Sequence, residues 1–416
     1  MPRAAFYTLG CKVNQYETEA LMDQFREQGY DIVNFTERAD VYVINSCTVT
    51  TSAASKSRKY ARRAKRQNPA GCVVLVGCYA QVSPEELEDI AEIDYILGTK
   101  GKKHLVHLLE SAGEEDRRLE RIVSYQDIEE FEDLTVSEVK ETTRAYVKIE
   151  EGCNQFCSYC IIPYARGPVR SRPRASILKE IKNHLSSGVR EIVLTGIHLG
   201  AYGFDWNEPD ALVNLLKDIF SLDNEFRLRL SSLEVTEASD RLLDLMKHES
   251  RFCPHLHLPL QSGSDKILKA MSRPYSSQDF REQANKIRKN IPDIAITTDV
   301  ICGFPGEKEE DFKETYYFIE EIAFSRLHVF TFSPREGTLA AEMENRVPGN
   351  VKKEYSSRLH ELNENLMLNY QKKFLGKVRS VVVEENTDYE TGMITGFTDN
   401  YIRVLLSDVE KYKGKL

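Results

Sequence analysis

Glu151-Gly152-Cys153-Asn154-Gln155-Phe156-Cys157-Ser158-Tyr159-Cys160 stands directly behind an alternating β-type run at residues 146–150, and that junction decides the fold. Thiolates at CxxxCxxC spacing can reach three corners of one iron–sulfur cube, since soft sulfur ligands select such clusters. Three ligands on four irons leave one iron open, and an open position marks a catalytic rather than a structural metal site. A zinc knuckle, or a redox pair of Cys157 and Cys160, is the plainer alternative. Zinc would want a fourth ligand close by, and the next histidines, His184 and His198, fall on a helix and near a later strand.

Working outward, β-branched runs alternate with helical periodicity. Strands are predicted at 146–150, 191–195, 227–231, 255–258, 295–300 and 326–332, with helices near 177–187, 211–220, 237–247, 265–271, 277–289 and 309–322. Six β/α repeats imply an incomplete TIM-like barrel with its chemistry at the C-terminal strand ends. Upstream, strands at 5–9, 41–45 and 73–77 alternate with helices at 17–28, 52–67 and 84–92, the pattern of an open parallel α/β sheet. Each of these strands runs into a cysteine: Cys11, Cys47 and Cys78. Parallel strand ends converge on one sheet edge, where α/β proteins bind ligands, so the three thiols are candidates for a second cluster. Three independently buried thiols would be the alternative.

A chain of 416 residues implies two or three folding units. We divide it at 1–112, an acidic linker at 113–141, a barrel at 142–373 after which a polar helix at 351–373 hands over to a β-like tail, and a small partial barrel at 374–416, with strands at 378–384, 392–398 and 402–406. No apolar run approaches the roughly 18 residues of a membrane span. The opening MPRAAFYTLGC lacks a signal-peptide core, so a cytoplasmic location without membrane contact is expected. Nine cysteines, clustered rather than spread, suit metal or catalysis in a reducing compartment.

The net charge of −9 argues weakly against a nucleic-acid partner, but the charge is segregated. From 56 to 66 the chain reads KSRKYARRAKR, seven cations without an acid: Lys56, Arg58, Lys59, Arg62, Arg63, Lys65 and Arg66. Thr50-Thr51-Ser52 supplies a plausible cap for a helix carrying them. A solvated charged face is the bland reading; contact with an RNA backbone, where such cations displace counterions, is the sharper one. From 114 to 141, eleven acids stand against four bases.

Taken together, LGCKVNQYETEAL, INSCTVT, VGCYAQ and GCNQFCSYCIIPYARGPVRSRP resemble the radical S-adenosylmethionine (SAM) methylthiotransferase family over essentially the whole chain. The resemblance implies two [4Fe–4S] clusters, one on Cys153, Cys157 and Cys160 and an auxiliary one on Cys11, Cys47 and Cys78. It implies a C-terminal TRAM domain that grips RNA, and SAM chelating the open iron, with contacts around Tyr159, Thr195, Gly196, Glu234, Gln261 and Asp299. Cys72, Cys253 and Cys302 match no ligand position. In the chemistry so implied, one SAM methylates a sulfur species and a second yields the radical that takes hydrogen from carbon 2 of an adenine next to the tRNA anticodon. The wording CKVNQYETEA is most similar to the branch acting on threonylcarbamoyladenosine. Electrons would come from a donor such as flavodoxin or ferredoxin; the sulfur donor is open.

Rival readings are methylthiolation of isopentenyladenosine tRNA, of a ribosomal-protein aspartate, or a non-catalytic iron–sulfur RNA-binding module. Arg166, Arg170, Arg172 and Arg335 are candidates for phosphate or ribose contact, with ordinary ion pairs as the alternative. His255 and His257 read as core histidines.

Overall fold

Runs such as VYVINS and VVLVG carry no polar alternation because both faces of the sheet they form are covered. The protein is described from a computed structural model at residues 1–111, 119–136, 143–407, 412–413 and 416. Its first domain is a six-stranded sheet in which every neighbouring pair is parallel. The order is Asp31–Val33, Arg3–Thr8, Val41–Ser46, Cys72–Gly77, Tyr95–Leu97 and Leu119–Arg121. Separate apolar cores lie on its two faces. The three predicted strands are present. The other three, each three residues long, escape a pattern search that needs four or more alternating positions.

The stretch read as a linker therefore contributes an edge strand, Leu119–Arg121, while residues 113–118 and 137–141 lie outside the described residues. The first helix runs Lys12–Glu27, starting five residues before the predicted onset and directly behind Cys11. The helix expected over 84–92 shrinks to Glu85–Glu88.

In the second domain, Arg144–Lys148, Glu191–Thr195 and Arg227–Leu230 form one parallel sheet, and His255–His257, Ala295–Cys302 and Arg326–Thr331 another. Bridges from Leu228 to Phe252 and from Ser232 to His257 join the halves. The first and sixth strands are not paired, so this is an incomplete (β/α)6 barrel around a single large core. A helix, Gly349–Lys372, leads to an antiparallel sheet of Val381–Thr387, Ile394–Thr398 and Arg403–Leu406. That sheet docks on the N-terminal ends of the barrel strands, where Arg227 Nη2 donates to Phe397 O at 2.8 Å and Arg229 Nη1 to Asp399 O at 3.0 Å. No described helix is long and apolar enough to cross a membrane.

The two α/β domains meet over buried charge. Arg166 Nη1 lies 2.5 Å from Glu17 Oε1 and 2.6 Å from Glu151 Oε1; Lys102 Nζ lies 2.7 Å from Glu17, and Lys148 Nζ 3.1 Å from Glu151. Burial alone would push these carboxylates up, but the surrounding cations outweigh it, holding Glu17 well below the ordinary range and Glu151 at about 2. Depressed carboxylate pKa values add stability that is complete above the unfolded-state range and is lost as pH falls toward about 2. Replacing Glu17 with Gln strands Lys102 in the interior and leaves Arg166 with Glu151 as its remaining carboxylate. Thermal unfolding should then show a loss of about 3–5 kcal/mol, and an unchanged melting temperature would show that the two cations find other partners.

Candidate active site at two cysteine triads

Gly10 has φ +103°, and a Cβ there would sit 2.8 Å from Cys47 Cβ and 3.0 Å from its Sγ. Glycine alone lets the Cys11 and Cys47 loops close on each other. Cys78, which opens a short helix at the end of the Cys72–Gly77 strand, completes the group, and its Sγ accepts from Arg166 Nε at 3.2 Å. Arg166 Nη2 also donates to Asn14 Oδ1 at 2.6 Å, and that oxygen lies 3.8 Å from Cys11 Sγ. Burial first, then the neighbouring Cys78 and Cys11, push Cys47 up to about 12. The thiols are thus close enough to feel one another.

The second triad occupies the loop after the first barrel strand. Gly152, at φ +92°, lets that loop pass Pro168, whose carbonyl oxygen would lie 1.9 Å from a Cβ. Cys153 Sγ is 3.7 Å from His198 Nδ1, and His198 Nε2 is 2.6 Å from Glu237 Oε1. Arg273 Nη1 donates to Cys157 Sγ at 3.4 Å, and the same guanidinium pairs closely with Glu234. Burial pushes Cys160 up to about 12, with Cys157 and Cys153 adding to it.

By chemistry the donors suit iron–sulfur clusters at both places, although among the described residues no three of them stand as a ready-made site for a single metal ion. Each triad offers three thiols, and in each a guanidinium donates to one of them, which favours the thiolate a cluster requires. Around the first, four cations (Lys102, Lys148, Arg166, Arg170) contact two carboxylates (Glu17, Glu151), leaving a surplus of positive charge that anionic thiolate ligation would offset.

Between the two domains lies a cavity lined by Val49 and Thr50 of the first domain and by Tyr159, Cys160, Gln261, Asp299, Phe330 and Arg335 of the barrel. Arg335 Nε donates to Thr48 O, and Ser333 Oγ is 3.0 Å from Thr51 Oγ1, so the loop after the sixth strand clasps the first domain beside Cys47. Of the residues tied to SAM by resemblance, Tyr159, Gln261 and Asp299 line this cavity. Thr195 and Gly196 end the second strand, where a Cβ on Gly196 would be 2.6 Å from Glu150 Oε2. Glu234 is engaged by Arg273.

The reading of the four arginines needs correction. Arg166, Arg170 and Arg172 are buried in ion pairs with Glu17, Glu151 and Glu180, the ion-pair alternative, since a charge taken out of water needs a partner. Only Arg335 reaches the cavity. His255 is buried against Thr297, whereas His257 extends to 3.3 Å from Asp299. His198, Arg273 and Glu150 were not anticipated; lone polar residues at strand ends leave no periodic signal. Glu150 is wholly buried, accepts from His198 N at 2.7 Å, and is raised to about 8, chiefly by burial.

The cationic helix runs Thr51–Gln67, capped by Thr50, whose side chain accepts from Ala53 N. Its start borders the cavity, because Thr50 lines both. Arg58 is held by Tyr79 and Glu86, and Lys65 by Asp94 at 2.7 Å; Lys56, Lys59, Arg62 and Arg66 are exposed.

Residues 3–98 match the model of the uncharacterized protein family UPF0004, and residues 147–319 that of the radical SAM superfamily. The chain is 42% identical to the threonylcarbamoyladenosine tRNA methylthiotransferase MtaB of Bacillus subtilis, with 100% of this chain and 93% of that protein covered. It is 35% identical to the tRNA-2-methylthio-N(6)-dimethylallyladenosine synthase of Acetivibrio thermocellus, over 94% of this chain and 82% of that protein. Among solved structures, the radical SAM methyltransferase TsrM from Kitasatospora setae, with cobalamin and a [4Fe–4S] cluster bound, superposes with a TM-score of 0.61 at 16% identity, covering 82% and 77% of the two chains, a likeness of fold.

The loop geometry carries its own test. Gly152→Ala drives a methyl group into Pro168 O and should distort the 153–160 loop, cutting bound iron to about half, as for loss of one of two four-iron sites. Full iron content in that variant would mean the loop tolerates the shift.

Proposed function

The chain belongs to the radical-SAM tRNA methylthiotransferase family, and on that premise we propose that it methylthiolates carbon 2 of threonylcarbamoyladenosine beside the tRNA anticodon. Its near-complete alignment with a threonylcarbamoyladenosine enzyme supports the substrate, and the single observation that carries the chemistry is one cavity walled by both cysteine triads' domains. When bound, the cluster on the barrel loop and SAM would supply the radical that an inert C–H bond requires, and the auxiliary cluster would hold the sulfur to be transferred.

What the chain itself does follows from its side chains. Cys153, Cys157 and Cys160 would hold one cluster and Cys11, Cys47 and Cys78 the other. Tyr159, Gln261 and Asp299 present an aromatic face and polar atoms to the cavity, suited to positioning an adenosyl group. Arg335 fixes the first domain's loop over the opening and leaves Nη2 without a partner among the described residues. Lys56, Lys59, Arg62 and Arg66 would meet the RNA backbone as the stem leaves the cavity, with Arg58, Arg63 and Lys65 adding to the field. A low-potential carrier such as flavodoxin or ferredoxin would supply the electrons.

Anaerobically reconstituted protein should bind about eight irons per chain, and Cys153, Cys157 and Cys160 changed together to Ala should halve that figure and end SAM cleavage. Zinc at stoichiometry without sulfide would refute the assignment. Mass spectrometry of tRNA nucleosides from cells lacking the protein should show unmodified threonylcarbamoyladenosine in place of its 2-methylthio form.

The exposed helix face gives a separate measurement. Lys56, Lys59 and Arg66 changed to Glu should weaken binding to RNAs of any sequence and lower the slope of log K against log salt by about 0.7–0.9 for each phosphate no longer neutralised. Unaltered affinity at low salt would leave the segment a solvated face.

A further inference from the structure

His255 and His257 on one barrel strand, and Thr297 and Asp299 on the next, are each two residues apart, so each pair projects from one face of its strand. The strands pair in parallel with His257 opposite Thr297, which sets the four side chains beside one another. They form one hydrogen-bonded row. His255 Nε2 lies 3.1 Å from Thr297 Oγ1, that oxygen lies 2.9 Å from His257 Nδ1, and His257 Nε2 lies 3.3 Å from Asp299 Oδ1. The ring of His328, on the sixth strand, packs edge-on against His257 at 5.6 Å between centroids. The row begins in the buried interior and ends at the cavity, whose one acid among the described residues is Asp299.

The row also has a direction. Burial first, then the charge of Arg229, pushes the His255 imidazole well below its ordinary range, so the ring carries a single proton. Its Nδ1 is buried and meets no partner among the described residues. A proton there would be a buried, unpaired N–H, which costs more than an unused lone pair. The proton therefore belongs on Nε2 and is donated to Thr297. Having accepted that bond, the Thr297 hydroxyl gives its own proton to His257 Nδ1. This leaves the proton of His257 on Nε2, directed at Asp299. Each bond fixes the next, and the last one holds Oδ1 of Asp299. The other carboxylate oxygen makes no hydrogen bond or ion pair among the described residues.

SAM brings hydroxyl and ammonium donors, and Asp299 is the acid set to accept one of them. We propose that His257 is a positioning residue, which through the row behind it holds the Asp299 carboxylate in the orientation that receives SAM. The assignment rests on the reading of Asp299 as a SAM contact. His257 does not itself line the cavity, so it acts through its neighbour. A free carboxylate must be ordered when its ligand arrives, and one already tied down is spared that loss of freedom. Support of this kind, a hydrogen bond behind the contacting group, is what gives a site its precision.

Equilibrium dialysis of labelled SAM against anaerobically reconstituted holoprotein, without reductant, reads binding alone. Asp299→Asn and His257→Leu should each weaken binding on the order of tenfold. The double variant should bind no more weakly than Asp299→Asn, since His257 acts only through that carboxylate. His257→Gln should recover most of the affinity, because its amide N–H can stand in for Nε2–H. Iron content reports loading. Should His257→Leu lose iron, Thr297→Val, which removes only the hydroxyl behind the ring, takes its place and should weaken binding in the same way. Wild-type affinity in loaded His257→Leu or, failing that variant, in Thr297→Val overturns the role of His257. A loss that adds in full to that of Asp299→Asn overturns it too. Wild-type affinity in Asp299→Asn overturns the reading of Asp299 beneath it, and the proposal with it.

Discussion

A wholly buried guanidinium, that of Arg166, stands where the two α/β domains touch. Arg166 donates to Glu17 and Asn14 of the first helix and to Glu151 at the root of the 153–160 loop, while its Nε reaches Cys78 Sγ. A wholly buried arginine must find partners for its donors in fixed directions, because any left over costs desolvation without return. The domains therefore cannot slide against each other without opening several charge-assisted bonds at once. Such a network adds little net stability over an apolar contact, but it specifies one geometry. The distance and orientation between the cysteine triads follow from it.

Within that frame, small residues matter as much as ligands. Gly10 and Gly152 both occupy the left-handed region of φ, and both let a cysteine loop approach a neighbour closer than any Cβ allows. Among the thiols of these loops, Cys47 and Cys160 are strongly disposed to stay protonated, each pushed up to about 12 chiefly by burial. Taking up metal must therefore expel protons, and the guanidinium groups of Arg166 and Arg273 favour the charge that remains.

Much of the barrel was legible from period alone. The strand Glu191–Thr195 and the helices Ala211–Phe220 and Glu309–Ile322 begin and end where the pattern does, since their apolar faces are long and meet one core. The cysteines were legible because both triads sit at strand ends, a place the β/α alternation marks. What escaped was short or non-periodic: the edge strands Asp31–Val33 and Leu119–Arg121, and His198 and Arg273, whose roles depend on residues far away in sequence. Charge counting also misled. Arg166, Arg170 and Arg172 stand in one basic stretch, RGPVRSR, yet are buried by carboxylates from three different elements, which no local reading reveals.

The first helix serves two cores. Tyr16 and Ala20 pack with Leu134 and Val136 beside Tyr146 of the first barrel strand, while Leu21 and Phe25 belong to the N-terminal sheet. Synthesis delivers this helix more than a hundred residues before the barrel strand it covers. Until then its barrel-facing side, with Glu17 paired only to Lys102, stays wet, and the emerging chain carries a half-finished surface that its own later portion must find. Domain docking is thus a step in the folding of both halves, and a nascent chain stalled between them would be the species most in need of a chaperone.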